Sequence, residues 1–112
     1  MKESHAIQAL SALAHEHRMA IFKTLMREGP SGLPAGAIGE RLELGGSKVS
    51  FHVGLMERAG LLRSWRVNRH IYYAVEIDGM RELLGFLTED CCGGHPEICG
   101  ALFETAQVCG DD

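Results

Sequence analysis

The chain has 112 residues, of which 46% are apolar and 23% charged, and its formal net charge is −4. That length supports a single domain with a modest core, to which oligomerisation commonly adds. No apolar run approaches the roughly 20 residues of a membrane span. No charged-then-apolar leader opens the chain, so a cytoplasmic protein without membrane association is expected. Four cysteines in that compartment argue against a disulfide framework.

From Lys2 to Glu28 the pattern predicts two helices with a break near His15. Ile7, Leu10, Leu13 and Ala14 form one apolar stripe, and Ile21, Phe22, Leu25 and Met26 a second. His15 and His17 read as a turn and helix-entry pair rather than as ligands. Glu28-Gly-Pro-Ser-Gly is punctuation. A short helix is expected from Leu33 to Leu44, with Pro34 tolerated in its first turn and Ile38 and Leu42 inward. Gly45-Gly46 then turns the chain into a helix capped by Ser47, whose apolar face is Val49, Val53, Met56 and Ala59, with Leu55 beside them. Two helices joined by a short glycine-containing turn make a helix-turn-helix unit.

Gly60 supplies the left-handed residue that ends helices, and Leu61 folds back on the last turn. Leu62 to Val67 and His70 to Val75 are rich in β-branched and aromatic residues, and Asn68-Arg69 between them is a turn-compatible tip. Asp78 is placed to cap a helix reaching about Glu89, along which Met80, Leu83, Leu84 and Leu87 form a narrow seam with Phe86 beside it. A last short helix is expected from Pro96 to Ala106.

Charge is unevenly spread. Arg41 to Tyr73 holds six Lys+Arg and two acids, a net of +4 in a chain of −4. From Glu89 to Asp112 there are six acids and no Lys or Arg. One basic helix and ribbon in an acidic chain fits a local anionic partner, and duplex nucleic acid suits a helix of this size. The acidic tail would be repelled by phosphate.

Ser47, Val49, Ser50, His52, Leu55, Ala59-Gly60-Leu61, Arg66, Asn68-Arg69-His70 and Tyr72-Tyr73 resemble the recognition helix and wing of the ArsR/SmtB family of metal- and metalloid-sensing repressors. The likeness runs from about Leu10 to Cys99, and Leu10 to Phe22 resembles the family's opening region. It implies a mainly α fold with a small β-hairpin: a winged helix-turn-helix that dimerises through its first helix and the Asp78–Glu89 helix. Residues 1–90 would form the DNA-binding and dimerisation domain, and residues 91–112 an inducer-binding tail. A homodimer would present two Ser47 helices to major-groove faces about 34–36 Å apart on operator DNA. The expected contacts are Ser47, Lys48, Ser50, Phe51 and His52 from the helix, and Arg66, Asn68, Arg69 and His70 from the wing.

The chain also departs from the family. Many arsenic sensors carry a cysteine pair in the counterpart of the Leu33–Leu42 helix, and this chain has none there. Zinc sensors place Asp, His, His and Glu along the later helix. Here only Asp78 remains, with Met80, Cys91 and Gly94 at the other positions.

Cys91, Cys92 and Cys99 lie close together around Gly93-Gly94 and Pro96. Three soft thiolates with no required fourth ligand suit As(III) or Sb(III) as the inducer. The resemblance agrees, since one arsenite-responsive branch carries a Cys-Cys pair after this helix and a third cysteine farther on. Three alternatives use the same residues: a Cys3His zinc or cadmium site with His95, a thiol redox switch with Cys109 as resolving partner, or an inert cluster. An enzyme using Cys91 or Cys92 is disfavoured, because no basic group or CxxC motif flanks the thiols and Glu89 and Asp90 would raise their pKa.

Overall fold

The computed structural model describes residues 1–91. Helix α1 (Glu3–Leu13) and helix α2 (Glu16–Glu28) are separated by the break expected at His15. Ala14 N–H bonds back to the Leu10 and Ser11 carbonyls, and His15 turns to an extended backbone. His15 is the N-cap of α2: its Nδ1 accepts the His17 backbone N–H at 3.1 Å, satisfying one of the orphan donors of a helix start. Gly29, at φ +83°, ends α2.

α1 uses its expected stripe only in part inside the protomer, where Leu13 packs against the core. It buries Ala6, Ala9 and Ala12, while Ile7 and Leu10 are 59% and 41% exposed. The alanines, three residues apart, let α1 approach α2 and α4 closely, and the bulky side chains are left on the outer face.

The next segment starts later than its sequence suggests. Leu33–Pro34 is a two-residue strand, β1, and α3 runs Ala35–Leu42 behind it. Pro34 is extended and serves as the N-cap residue instead of lying in the first turn. Helix α4 spans Gly46–Arg58, with Gly45 as N-cap. Ser47 therefore lies inside the first turn, and no side-chain cap bond forms. At the other end Gly60 (φ +84°) and Leu61 close α4 as expected: Gly60 N–H bonds Glu57 O, and Leu61 N–H reaches back to Met56 O, both at 3.0 Å.

β2 (Leu62–Val67) and β3 (His70–Val75) form the hairpin, in register from Leu62 opposite Val75 to Val67 opposite His70. Asn68 takes the positive φ (57°) that the two-residue tip requires. β1 adds to the far side of β3, so the hairpin belongs to a three-stranded antiparallel sheet of order β1-β3-β2. Gly32 makes that addition possible: it sits at φ +68°, and a Cβ there would lie 2.5 Å from the Tyr73 carbonyl oxygen and 2.8 Å from the Trp65 ring.

α5 (Ile77–Gly85) follows Glu76, its N-cap, so Asp78 lies in the first turn and not at the cap. The helix then widens into a π-helical segment, Phe86–Cys91. The Thr88 hydroxyl donates to the Leu84 carbonyl at 2.8 Å and also lies 3.3 Å from that of Gly85, a back-bonding that competes with regular helix bonding. α5 docks where α4 ends: a Cβ on Gly79 would collide with the Gly60 carbonyl oxygen. Ile21, Leu25, Ile38, Val49, Val53, Met56 and Leu61 are the largest fully buried side chains, so α2, α3 and α4 hold the centre of the core. Leu83 points in at 2% exposure, and its neighbour Leu84 points out at 45%.

Candidate nucleic-acid interface

α4 has two faces. Val49, His52, Val53 and Met56 are buried. Ser47, Lys48, Ser50 and Phe51 are exposed on the other side, with Phe51 at 59%. Ser47, Ser50, Phe51 and Gly54 follow the i, i+3, i+4, i+7 spacing of one helical face. Small hydroxyls and Gly54 along that face allow close approach of a groove wall, and Lys48 at its edge supplies a cation.

At the hairpin tip Arg66, Asn68, Arg69 and His70 are all exposed. The sheet behind them is stiffened by Trp65 stacked on Tyr72 across the strands, with ring centroids 5.9 Å apart. Not every cation of this region is available to a partner. Arg63 lies 4.7 Å over the Trp65 ring and donates to the Pro30 carbonyl at 3.1 Å, and Arg41 pairs with Glu28 at 3.2 Å. Among the described residues, Lys48, Arg66 and Arg69 make no hydrogen bond or ion pair. Three cations without internal partners on a helix face and a hairpin tip can meet a polyanion at no cost in internal contacts.

The structure separates His52 from the other expected contacts of α4. It is 6% exposed and turned toward α2, where its Nδ1 lies 3.2 Å from an Arg18 guanidinium nitrogen. Arg18 Nε also donates to the Ala12 carbonyl at 2.6 Å, which ties the end of α1 to this contact. His15 and His17 complete the surroundings, with ring centroids 4.8 and 5.5 Å from His52. Burial first, then the electrostatic influence of His15, Arg18, His17 and Lys48, lowers the His52 pKa and disfavours its charged form. The pairing of His15 and His17 with His52 had no local signal in the sequence, because the third residue comes from a different helix.

Of the expected inducer ligands, Cys92 and Cys99 lie outside the described residues, as do His95, Cys109 and the helix expected from Pro96 to Ala106. Cys91 is the last residue of the π-helical segment that continues α5. No described helix is long and apolar enough to cross a membrane.

Residues 13–64 match the model of a helix-turn-helix domain family. No curated protein matches the chain. Among solved structures, reduced HlyU from Vibrio cholerae N16961 is 25% identical, with 79% of this chain and 90% of that one covered and a TM-score of 0.61. An ArsR-like transcriptional regulator from Rhodococcus sp. RHA1 is 21% identical over 95% of this chain and 89% of that one, with a TM-score of 0.66. The homodimeric winged helix-turn-helix DNA-binding domain of Mb0332 from Mycobacterium bovis, described as a possible ArsR-family regulator, is 20% identical, covers 82% of each chain and has a TM-score of 0.63.

Proposed function

We propose that the chain is a DNA-binding regulator of the ArsR type with a winged helix-turn-helix fold, that it represses transcription as a homodimer, and that it leaves its operator when trivalent arsenic or antimony binds Cys91, Cys92 and Cys99. One observation carries the DNA half of this reading: Lys48, Arg66 and Arg69 stand exposed, and without a partner among the described residues, on the outer face of α4 and the wing, in a chain of net charge −4. Ser47, Ser50 and Phe51 read the groove, while Asn68, Arg69 and His70 follow the adjacent backbone or minor groove. His52 is left out of the contact set because it faces α2.

The dimer half rests on two uncovered apolar edges. α1 exposes Ile7 and Leu10, and α5 exposes Ile77 (55%) and Leu84. Apolar side chains at this exposure on two helices suit burial against a second copy, the assembly described for the Mycobacterium bovis domain.

The inducer half rests on donor chemistry. Three thiolates offer soft ligands to a pyramidal metalloid centre, and no carboxylate or imidazole is needed to complete it. Cys91 continues directly from α5, so capture of the metalloid there would restrain an element of the dimer contact and change the spacing of the two α4 helices. A coupling of about 1–3 kcal/mol lowers operator affinity by roughly 5–150-fold. The test is a gel-shift titration on the DNA upstream of the chain's own gene, with and without arsenite. Arsenite should release the wild type and fail to release Cys91→Ser/Cys92→Ser, and equal release of both would remove the thiol trap from the mechanism. Thiol oxidation through the same cysteines is the second reading, kept because the Vibrio cholerae HlyU structure is described as the reduced form. Release by peroxide but not by arsenite under reductant would favour it.

A further inference from the structure

We infer that His15, His17 and His52 form a divalent transition-metal site, independent of the cysteines, that bridges the α1–α2 junction and the inner face of α4. One ligand nitrogen from each of the three lies within 4.8 Å of the other two. Zn–N bonds of about 2.0–2.1 Å place tetrahedral ligands roughly 3.3–3.4 Å apart, so the site closes by side-chain rotation of the two outer histidines. His15 is exposed and His17 half-buried, which leaves both room to move, whereas His52 is fixed in the core side of α4.

The donor set selects the ion. Three imidazoles suit Zn2+, Ni2+ or Cu2+ and do not suit Mg2+ or Ca2+, which prefer oxygen. Three protein ligands leave a fourth position for water, an arrangement that binds more weakly than a closed four-ligand structural site. The other nitrogens also matter. His15 Nδ1 is engaged by the His17 N–H, so its Nε2 is the free donor. His52 Nδ1 faces the Arg18 guanidinium. A metal on Nδ1 displaces Arg18 directly. A metal on Nε2 puts the ring proton on Nδ1, where Arg18 finds no acceptor. Either way the Arg18–His52 contact is lost, which limits affinity and makes the site responsive rather than permanently filled.

The consequence is mechanical. Arg18 links the end of α1, through the Ala12 carbonyl, to the inner face of α4. Filling the site exchanges that link for a metal bridge behind the helix whose outer face carries Ser47, Lys48, Ser50 and Phe51. An effect on DNA binding rests on the reading of α4 given above, whereas metal binding at the three histidines does not.

The test uses the full chain with Cys91, Cys92, Cys99 and Cys109 changed to serine, so that no thiol competes. Zn2+ is titrated against a chromophoric chelator, and imidazole nitrogen NMR follows the histidines. The expected result is one Zn2+ per protomer with shifts of three histidine rings. His15→Asn, which keeps a capping side chain, and His17→Gln should each weaken binding at least about tenfold without moving the metal-free melting curve. His5→Gln and His70→Gln should leave it unchanged. The inference is overturned if the cysteine-free chain binds no Zn2+, or if either His15→Asn or His17→Gln retains affinity within twofold.

Discussion

The two faces of α4 differ in almost every physical respect, although they share one backbone. The inner face, Val49, His52, Val53 and Met56, is buried and matched to neighbours from other elements. The outer face, with Ser47, Ser50 and Phe51, is exposed, and Lys48 beside it has no internal partner among the described residues. A helix designed only for stability would not place a 59% exposed phenylalanine beside an uncompensated lysine. The contrast locates the stabilising residues on one side and those free to serve a partner on the other. Substitutions on the two faces should therefore separate stability from binding.

The largest effect belongs to the inner face. Met56→Ala removes a side chain with 0% exposure, and a cavity of that kind costs about 2–5 kcal/mol. Chemical denaturation should show the loss, and DNA binding should fail only as the folded fraction falls. An unchanged midpoint would contradict the core assignment. Next comes the outer edge of α5. Leu84, 45% exposed in the protomer, is expected to be covered in the dimer, and burying such a side chain is worth about 1.5–3 kcal/mol. Leu84→Glu should raise the dimer dissociation constant roughly tenfold or more in sedimentation equilibrium with little change in far-UV circular dichroism. A wild-type dimer constant in that variant would place the interface elsewhere. The smallest effect is expected at Arg63, whose guanidinium is already engaged over Trp65 and on the Pro30 carbonyl. Arg63→Ala should cost about 0.5–1 kcal/mol of stability and leave the salt dependence of DNA binding where it was, in contrast to the free cations of the wing.

Much of this division is readable from the residues alone, for identifiable reasons. The break at His15, the Gly60-Leu61 helix end and the Asn68-Arg69 tip all rest on local backbone chemistry, and each occurs where it was expected. Helix starts were less legible. Ser47 and Asp78 have capping side chains, yet Gly45 and Glu76 are the extended residues before the helices, and a helix boundary is a feature that shifts readily by one or two residues. Pro34 is compatible with a first helical turn, but pairing of Leu33 and Pro34 with Tyr73 and Tyr72 draws it into the sheet. The α1 periodicity marked its apolar stripe but not that Ile7 and Leu10 would face out while Ala6, Ala9 and Ala12 face in, since which of two faces a helix buries depends on what approaches it. His52 shows the limit of reading one helix at a time. Its position resembles that of a groove contact, and only the arrival of Arg18, His15 and His17 from the other side reveals where it points.

The measurement that bears most directly on the central claim compares wild type with Lys48→Ala/Arg69→Ala, titrated against the chain's upstream duplex at several salt concentrations. Each phosphate contact contributes about 0.9 to the slope of log affinity against log salt, so the double variant, which loses two contacts in each half of the dimer, should lose roughly 3.6 from it and bind more weakly, with its melting curve unmoved. Parallel lines of equal slope would contradict the assignment of the outer face of α4 and the wing as the DNA-reading surface.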